Sequence, residues 1–181
     1  MLGSVSSGEV TRGGVTIRPE RPVDAPALRA LHAAAFPTTA EADLVERIRA
    51  SDRFVPELSL LAETDDGSVV GHVLLSYVAL AGQPVLALAP MAVRPAWQGK
   101  GVGSALVVAA LDAAEVREEP LVVVLGHPWF YPRFGFRPAS RYGIFPSADW
   151  PDAAFMVKPL TRHRGELRGK VDYPPAFDGL D

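Results

Sequence analysis

The sequence predicts one α/β domain of the α+β type, a central mixed, mostly antiparallel sheet of about six to seven strands flanked by about four helices. Three observations predict it. A helical hydrophobic period runs from Asp24 to Ile48 and gives way at Leu58 to apolar, β-rich runs. Thr64-Asp65-Asp66-Gly67-Ser68 separates two of those runs, and Asp-Gly in that position is a hairpin signal. A later helical stretch leads through Pro120 into the unbroken apolar run Leu121-Val122-Val123-Val124-Leu125, the pattern of a strand covered on both faces. With 181 residues the chain suits a single domain with a sizeable core.

Taken in order, Met1 to Gly14 are rich in Gly and Ser and read as a disordered lead-in. Thr16-Ile17-Arg18 reads as a first strand. Asp24 stands at an N-cap position ahead of Pro26 and the apolar residues Leu28, Leu31 and Ala35, and Pro37 ends that helix. Thr38 and Glu41 have capping-box spacing, with Leu44, Val45 and Ile48 as the stripe of a second helix. Leu58–Glu63, Val69–Val78 and Val85–Val93 then form a three-strand antiparallel meander, its second turn at Ala81-Gly82-Gln83-Pro84. Gly101 to Glu115 is helical, with Val102, Leu106, Ala109, Ala110 and Ala113 on one face. Strand, helix and covered strand in succession predict a parallel crossover. A short helix over Pro128–Arg133 and late strands at Phe136-Arg137 and Phe155–Lys158 complete a domain spanning 15–160. Residues 161–181 are expected to pack on it or to be partly ordered.

Composition excludes several classes of function. No Cys is present, which removes disulfides, thiolate metal sites and a Cys nucleophile. The four histidines, His32, His72, His127 and His163, lack metal-ligand spacing, and no Ser lies in a G-x-S-x-G context. No metal is expected. A net charge of -3 gives no basic field for nucleic acid, and the basic stretch Arg162 to Lys170 reads as a solvated face. No apolar run is long enough to span a bilayer, so a cytoplasmic protein without membrane partners is expected.

The informative segment is Gln98-Gly99-Lys100-Gly101-Val102-Gly103. Alternating glycines between a strand and a helix let the backbone approach a ligand, and successive N–H groups at a helix start favour phosphate oxygens. A P-loop is excluded, because Arg94 stands where its first Gly belongs. A dinucleotide loop is excluded too: counted from Gly99 its last position is Ser104, and Leu121–Leu125 carries no acidic residue.

Gln98, Gly101 and Gly103 fit the pattern [QR]-x-x-G-x-[GA], and Met91-Ala92-Val93-Arg94-Pro95 resembles the strand that precedes it in the GNAT acyltransferase superfamily. Phe130-Tyr131-Pro132-Arg133-Phe134-Gly135-Phe136 resembles that family's later Y-x-x-x-G-F element. Glu41-Ala42-Asp43-Leu44-Val45 and Gly126-His127-Pro128 are similar to its YhbS-like subgroup; the Asn that many members carry near the latter position is replaced here by Gly126 and His127.

The resemblance covers about Thr16 to Lys158. It implies a GNAT fold and an N-acetyltransferase that moves the acetyl group of acetyl-CoA directly to an amine of a small molecule or a protein. Met91, Ala92, Val93, Gln98, Gly99, Lys100, Gly101, Val102, Gly103 and Ser104 would bind the cofactor, with an oxyanion donor among the N–H groups near Ala92 or Val93. Tyr131 would be the general acid for the thiolate and Glu41 the candidate base, with His72, Ser76 or a chain of waters as alternatives. Pro90 inside a strand marks either a bulge that loosens the next pairing and opens a slot for the pantetheine arm, or a simple kink. A weakly catalytic acyl-CoA-binding regulatory module is the alternative function. The acceptor's identity, and the choice between monomer and homodimer, stay open.

Overall fold

In the computed structural model residues 10–12 and 14–179 are described. Ten strands form one sheet: β1 (Val10–Arg12), β2 (Val15–Pro19), β3 (Ser59–Glu63), β4 (Val69–Leu80), β5 (Gln83–Val93), β6 (Leu121–Leu125), β7 (Arg137–Pro138), β8 (Ile144–Pro146), β9 (Phe155–Pro159) and β10 (Gly169–Asp172). The main order is β1-β2-β3-β4-β5-β6-β9-β7. All its pairs are antiparallel except β5 with β6, the predicted parallel crossover. Three α-helices cover the sheet: α1 (Ala25–Ala35), α2 (Ala40–Arg49) and α3 (Val102–Val116).

The apolar alternation of the strands divides the core between two faces. Val73 and Leu75 of β4, Leu86 and Leu88 of β5, and Val122 and Val124 of β6 pack under α3. Leu74, Val78, Val85, Ala87, Leu121 and Val123 point the other way, toward α2. Leu28 and Leu31 of α1 meet Leu61, Val69 and Ala92 on that second face. α3 lies close to β4 because residue 71 is Gly: a Cβ there would stand 2.8 Å from Leu106 Cδ1 and 2.9 Å from Val102 Cγ1.

Several local expectations are corrected by tertiary contacts. Val10–Arg12 of the lead-in pairs with β2 as an edge strand, while residues 1–9 fall outside the described residues. Asp24 holds the N-cap position of α1 without capping it. Its carboxylate instead accepts from Arg18 at 2.8 and 3.0 Å and from the Arg21 N–H, because the buried Arg18 guanidinium needs anionic partners and takes Glu63 as its other. The capping box does not form either. Thr39 is the N-cap of α2, and Thr38 Oγ1 accepts only from Ala40 N at 3.3 Å. The expected helix over 128–133 is a 3-10 turn, Tyr131–Phe134, since Pro128 and Pro132 remove donors from an α ladder and Gly135, at φ 89°, ends it.

β8 and β10 lie beyond the sequence expectation. β3 pairs with Val69–Leu74 of β4 and leaves the far end of that edge open, and β10 takes it at Ala79 and Leu80. Arg47 of α2 donates to the carbonyls of Ala176 and Asp178, fastening the C-terminal segment to the second face.

Candidate functional site

Pro90 opens the site. Val73 pairs with Met91 and Leu75 with Leu88, so Ala89 and Pro90 together oppose Leu74. That is a bulge, with one extra residue on β5. On the other edge, β5 meets β6 only at Leu86 and Ala87; from Leu88 to Val93 that edge has no ladder partner among the described residues. The strands part there, which leaves backbone donors and acceptors for something else.

The glycine loop closes one end of this cleft. Gly101 is the N-cap of α3, with φ at 86° and no side-chain cap. The first helical hydrogen bond runs from Ala105 N to Gly101 O, so the N–H groups of Val102, Gly103 and Ser104 have no intrahelical acceptor. Gly99, at φ 74°, takes the left-handed backbone that the turn requires. Gln98 Nε2 donates to Val93 O at 3.1 Å, fastening the loop to the end of β5. Lys100 is exposed, its ammonium 5.3 Å from the centre of the Trp97 ring.

Gly103 is the meeting point. A Cβ there would lie 3.6 Å from Val93 Cγ2, 3.7 Å from Met91 Cε and 3.7 Å from Phe130 Cζ. The start of α3, the end of β5 and the Phe130-Tyr131 segment therefore converge. Met91 and Val93 thus meet Gly103 and Phe130, with Tyr131 beside Phe130 and Gln98 tied to Val93; Gly99, Lys100, Gly101, Val102 and Ser104 follow in the same loop and first turn, the Val102 side chain turned into the core. Ala92 belongs to the same stretch of β5, but its side chain faces α1.

Tyr131 is seated by its neighbours. Its ring lies 5.0 Å from Phe130 and 5.5 Å from Phe136, both edge-on. Gly126 makes room for it, because a Cβ at 126 would be 2.2 Å from Tyr131 Cε2. This is the physical reason for a glycine in that position. Burial alone pushes the Tyr131 hydroxyl up to about 12, so it stays protonated at neutral pH. Arg133, which no local pattern marks, presents an exposed guanidinium 4.9 Å from the centre of the Phe130 ring and ion-paired to no carboxylate among the described residues.

The other candidates lie on the opposite face of the sheet. Glu41, in the first turn of α2, has a buried Oε2 without a hydrogen-bond partner. Ser76 is fully buried, and its Oγ is equally unpartnered. His72 is fully buried and engaged on both nitrogens, with His32 Nε2 at 2.9 Å from Nδ1 and Ser59 Oγ at 2.8 Å from Nε2. Burial lowers its pKa and keeps it neutral. In the sequence His32 falls within the apolar stripe Leu28, Leu31, Ala35 and lacks metal-ligand spacing, so nothing local marks it as part of a polar chain. No group of three or more His, Asp or Glu among the described residues could hold a metal ion, and no helix is long and apolar enough to cross a membrane.

Comparison with known proteins agrees with this geometry. The model of the acetyltransferase (GNAT) domain matches residues 56–138. The uncharacterized N-acetyltransferase YhbS of Escherichia coli K12 is 36% identical over 167 residues, covering 90% of this chain and 98% of YhbS. The crystal structure of E. coli YhbS in complex with CoA superposes with a TM-score of 0.86 at 30% identity, covering 100% of this chain and 98% of the other. A GNAT-family acetyltransferase from Brucella melitensis in complex with acetyl-CoA gives 0.75 at 30% identity, over 92% of this chain and 100% of its own.

Proposed function

The chain belongs to the GNAT family and is an acetyl-CoA-dependent N-acetyltransferase, and from that premise we propose how its own residues divide the work. One observation carries the reading: the unpaired N–H groups that open α3 stand at the end of a cleft where β5 leaves β6. The N–H groups of Val102, Gly103 and Ser104, with the helix dipole behind them, suit the diphosphate of the coenzyme. Arg133 and Lys100 add positive charge beside them. The open edge of β5 at Met91–Val93 suits the amides of the pantetheine arm, and an N–H near Ala92 or Val93 the developing oxyanion. The bare backbone donors, the small Gly103 and, among the described residues, the lack of a carboxylate ion-paired to Arg133 or Lys100 all fit that ligand.

Acetyl transfer then needs a neutral amine, a donor for the oxyanion and a proton for the leaving thiolate. Tyr131 supplies the proton, because burial holds its hydroxyl in the acid form. The amine approaches from the α1–α2 side, where Glu41 Oε2 has no protein partner and can take a proton from the incoming ammonium, directly or through water. The nitrogen bonds to the acetyl carbon as the carbon–sulfur bond breaks. No acyl-enzyme forms. The acceptor is an amine of a small molecule or a protein.

The test is release of free thiol from acetyl-CoA across a panel of primary amines, with acetyl-CoA affinity measured by calorimetry on the same preparation. Amine-dependent thiol release with one coenzyme bound per chain is expected. Coenzyme binding with no amine-dependent release from any member would favour the regulatory binding module.

A further inference from the structure

The second face of the sheet carries a chain of buried polar groups that the transfer chemistry above leaves unused. It links Glu20, which follows β2, Ser59 of β3, His72 of β4 and His32 of α1, and Arg49 of α2 braces it at Glu20 with Nε 2.8 Å from Oε1. Burial pushes the Glu20 carboxyl up, but the nearby His72 Nε2, 3.4 Å from Oε2, and hydrogen bonds from Arg49 and Ser59 outweigh it and hold it at about 2. Glu20 is therefore an anion and accepts only.

That fixes every proton in the chain. Ser59 must donate its hydroxyl hydrogen to Glu20, so Ser59 Oγ accepts from His72 Nε2–H. His72 is neutral, so its Nδ1 is a lone pair, and His32 Nε2–H must donate to it. His32 is neutral as well, burial being the largest cause that lowers it to about 3. Its Nδ1 is left as a bare lone pair, buried and without a partner. A buried acceptor left without a donor is destabilising, because it loses its hydrogen bond to water and gains none in return. Ordering four side chains from separate elements to present one is costly unless something arrives to use it.

Its location says what arrives. Four buried side-chain atoms among the described residues lack partners, and three of them (His32 Nδ1, Glu41 Oε2 and Ser76 Oγ) lie on the α1–α2 side. The fourth, His163 Nδ1, is in the loop after β9. His72 and Ser76 share one face of β4 with Leu74 between them, and Leu74 is the residue opposite the Ala89-Pro90 bulge. His72 is the cross-strand partner of Ala92. His32 stands one turn before the end of α1, and Phe36 lies parallel on its ring at 6.0 Å. α2 begins four residues after Phe36, with Glu41 in its first turn.

We propose that His32 Nδ1, held by the Glu20–Ser59–His72 chain, accepts an N–H of the acceptor amine and so orients the amine's own lone pair for attack on the acetyl carbon. The proposal rests on the acetyl-transfer reading and narrows its acceptor to an amine that keeps an N–H in its neutral form. His32 accepts a hydrogen bond and does not carry the proton away, because burial makes its protonation unfavourable. Glu41 keeps that role. The two residues divide acceptor handling, one orienting and one deprotonating.

The experiment uses the full chain labelled with 15N at histidine, saturated with CoA, and titrated with methoxyamine, which is neutral at pH 7 and carries N–H but no O–H. In the CoA complex the His32 Nδ1 resonance should lie at the position of an unprotonated nitrogen and move saturably toward the protonated range as methoxyamine is added. N,N-dimethylmethoxyamine, which lacks an N–H, should leave it in place. His32→Phe keeps the ring stack on Phe36 and should lower kcat/KM for methoxyamine at least tenfold, with the KM for acetyl-CoA unchanged. A protonated Nδ1 at the outset, or no movement with methoxyamine, overturns the proposal, whatever the fate of the variant. Calorimetry on the same sample separates the two levels: failure to bind CoA defeats the acetyl-transfer reading, whereas CoA binding with an unmoved His32 defeats only this assignment.

Discussion

Gly103→Glu tests the coenzyme cradle most directly, because the structure separates its effect on folding from its effect on binding. A Cβ at 103 meets Val93, Met91 and Phe130 at 3.6–3.7 Å, which is ordinary contact, so the first side-chain carbon is added without displacing them and the carboxylate must turn out into the cleft. Replacing Gly inside the first turn of α3 gains a few tenths to about 1 kcal/mol of helix propensity. A carboxylate near the helix start gains about 0.3–1 kcal/mol more from the dipole. The apoprotein should therefore melt at the wild-type temperature or slightly above it.

Binding goes the other way. The new carboxylate would stand where the diphosphate is expected, and two like charges about 4 Å apart cost about 4 kcal/mol at an effective dielectric constant of about 20. That is roughly a thousandfold in Kd. The assay is thermal melting with and without acetyl-CoA at about one hundred times the wild-type Kd, where binding contributes about 2.7 kcal/mol. For a chain of this length that raises the wild-type melting temperature by roughly 5–10 °C. Gly103→Glu should show no rise, and Gly103→Ala, which adds the Cβ without charge, should keep most of it. A Gly103→Glu protein that melts normally and still shows the full rise would refute the placement of the phosphates at α3.

Tyr131→Phe should lower turnover about a hundredfold or more while acetyl-CoA affinity by calorimetry stays within about twofold; unchanged turnover at saturating amine would count against the hydroxyl as the acid. Gly126→Ala forces the Tyr131 ring aside, at a cost of about 1–3 kcal/mol in urea unfolding with turnover falling alongside; a variant as stable and active as wild type would show that the ring is not seated there. Glu20, held at about 2 against an ordinary 4.5, contributes stability that is complete above about pH 4.5 and is lost as pH falls toward 2. Glu20→Gln should remove that acid limb, on the order of 3 kcal/mol by linkage, from a plot of unfolding free energy against pH; an unaltered limb would place the titration elsewhere.

What was legible in the sequence is what the backbone decides over short spans. Ala81 and Gly82 form a two-residue hairpin turn with φ of 48° and 82°, and the Gly-spaced loop runs directly into the apolar stripe of α3. Pro90 was legible as an interruption. The choice between bulge and kink had to wait for the register, since only the pairing of Val73 with Met91 and of Leu75 with Leu88 shows the extra residue. Capping was misread where a tertiary partner outbid the local one, as Arg18 did for the Asp24 carboxylate.

The two halves of the reaction differ in the same way. Phosphates are gripped by backbone N–H groups, and a short glycine-spaced string leading into a helix supplies those without help from the rest of the chain. The acceptor meets side chains, and here these come from separate elements: residues 20, 59 and 72 along three consecutive stretches of the sheet, residues 32 and 49 from the two helices above it. Each of them alone has a plain structural explanation, a core histidine or a helix-surface arginine. Only the hydrogen-bond order joins them, because an ionised Glu20 at one end forces the protons into a single sequence and leaves one lone pair at the other. The coenzyme half of the site is thus encoded locally and read from spacing, while the acceptor half is encoded in which strands lie beside which, and comes into view with the sheet.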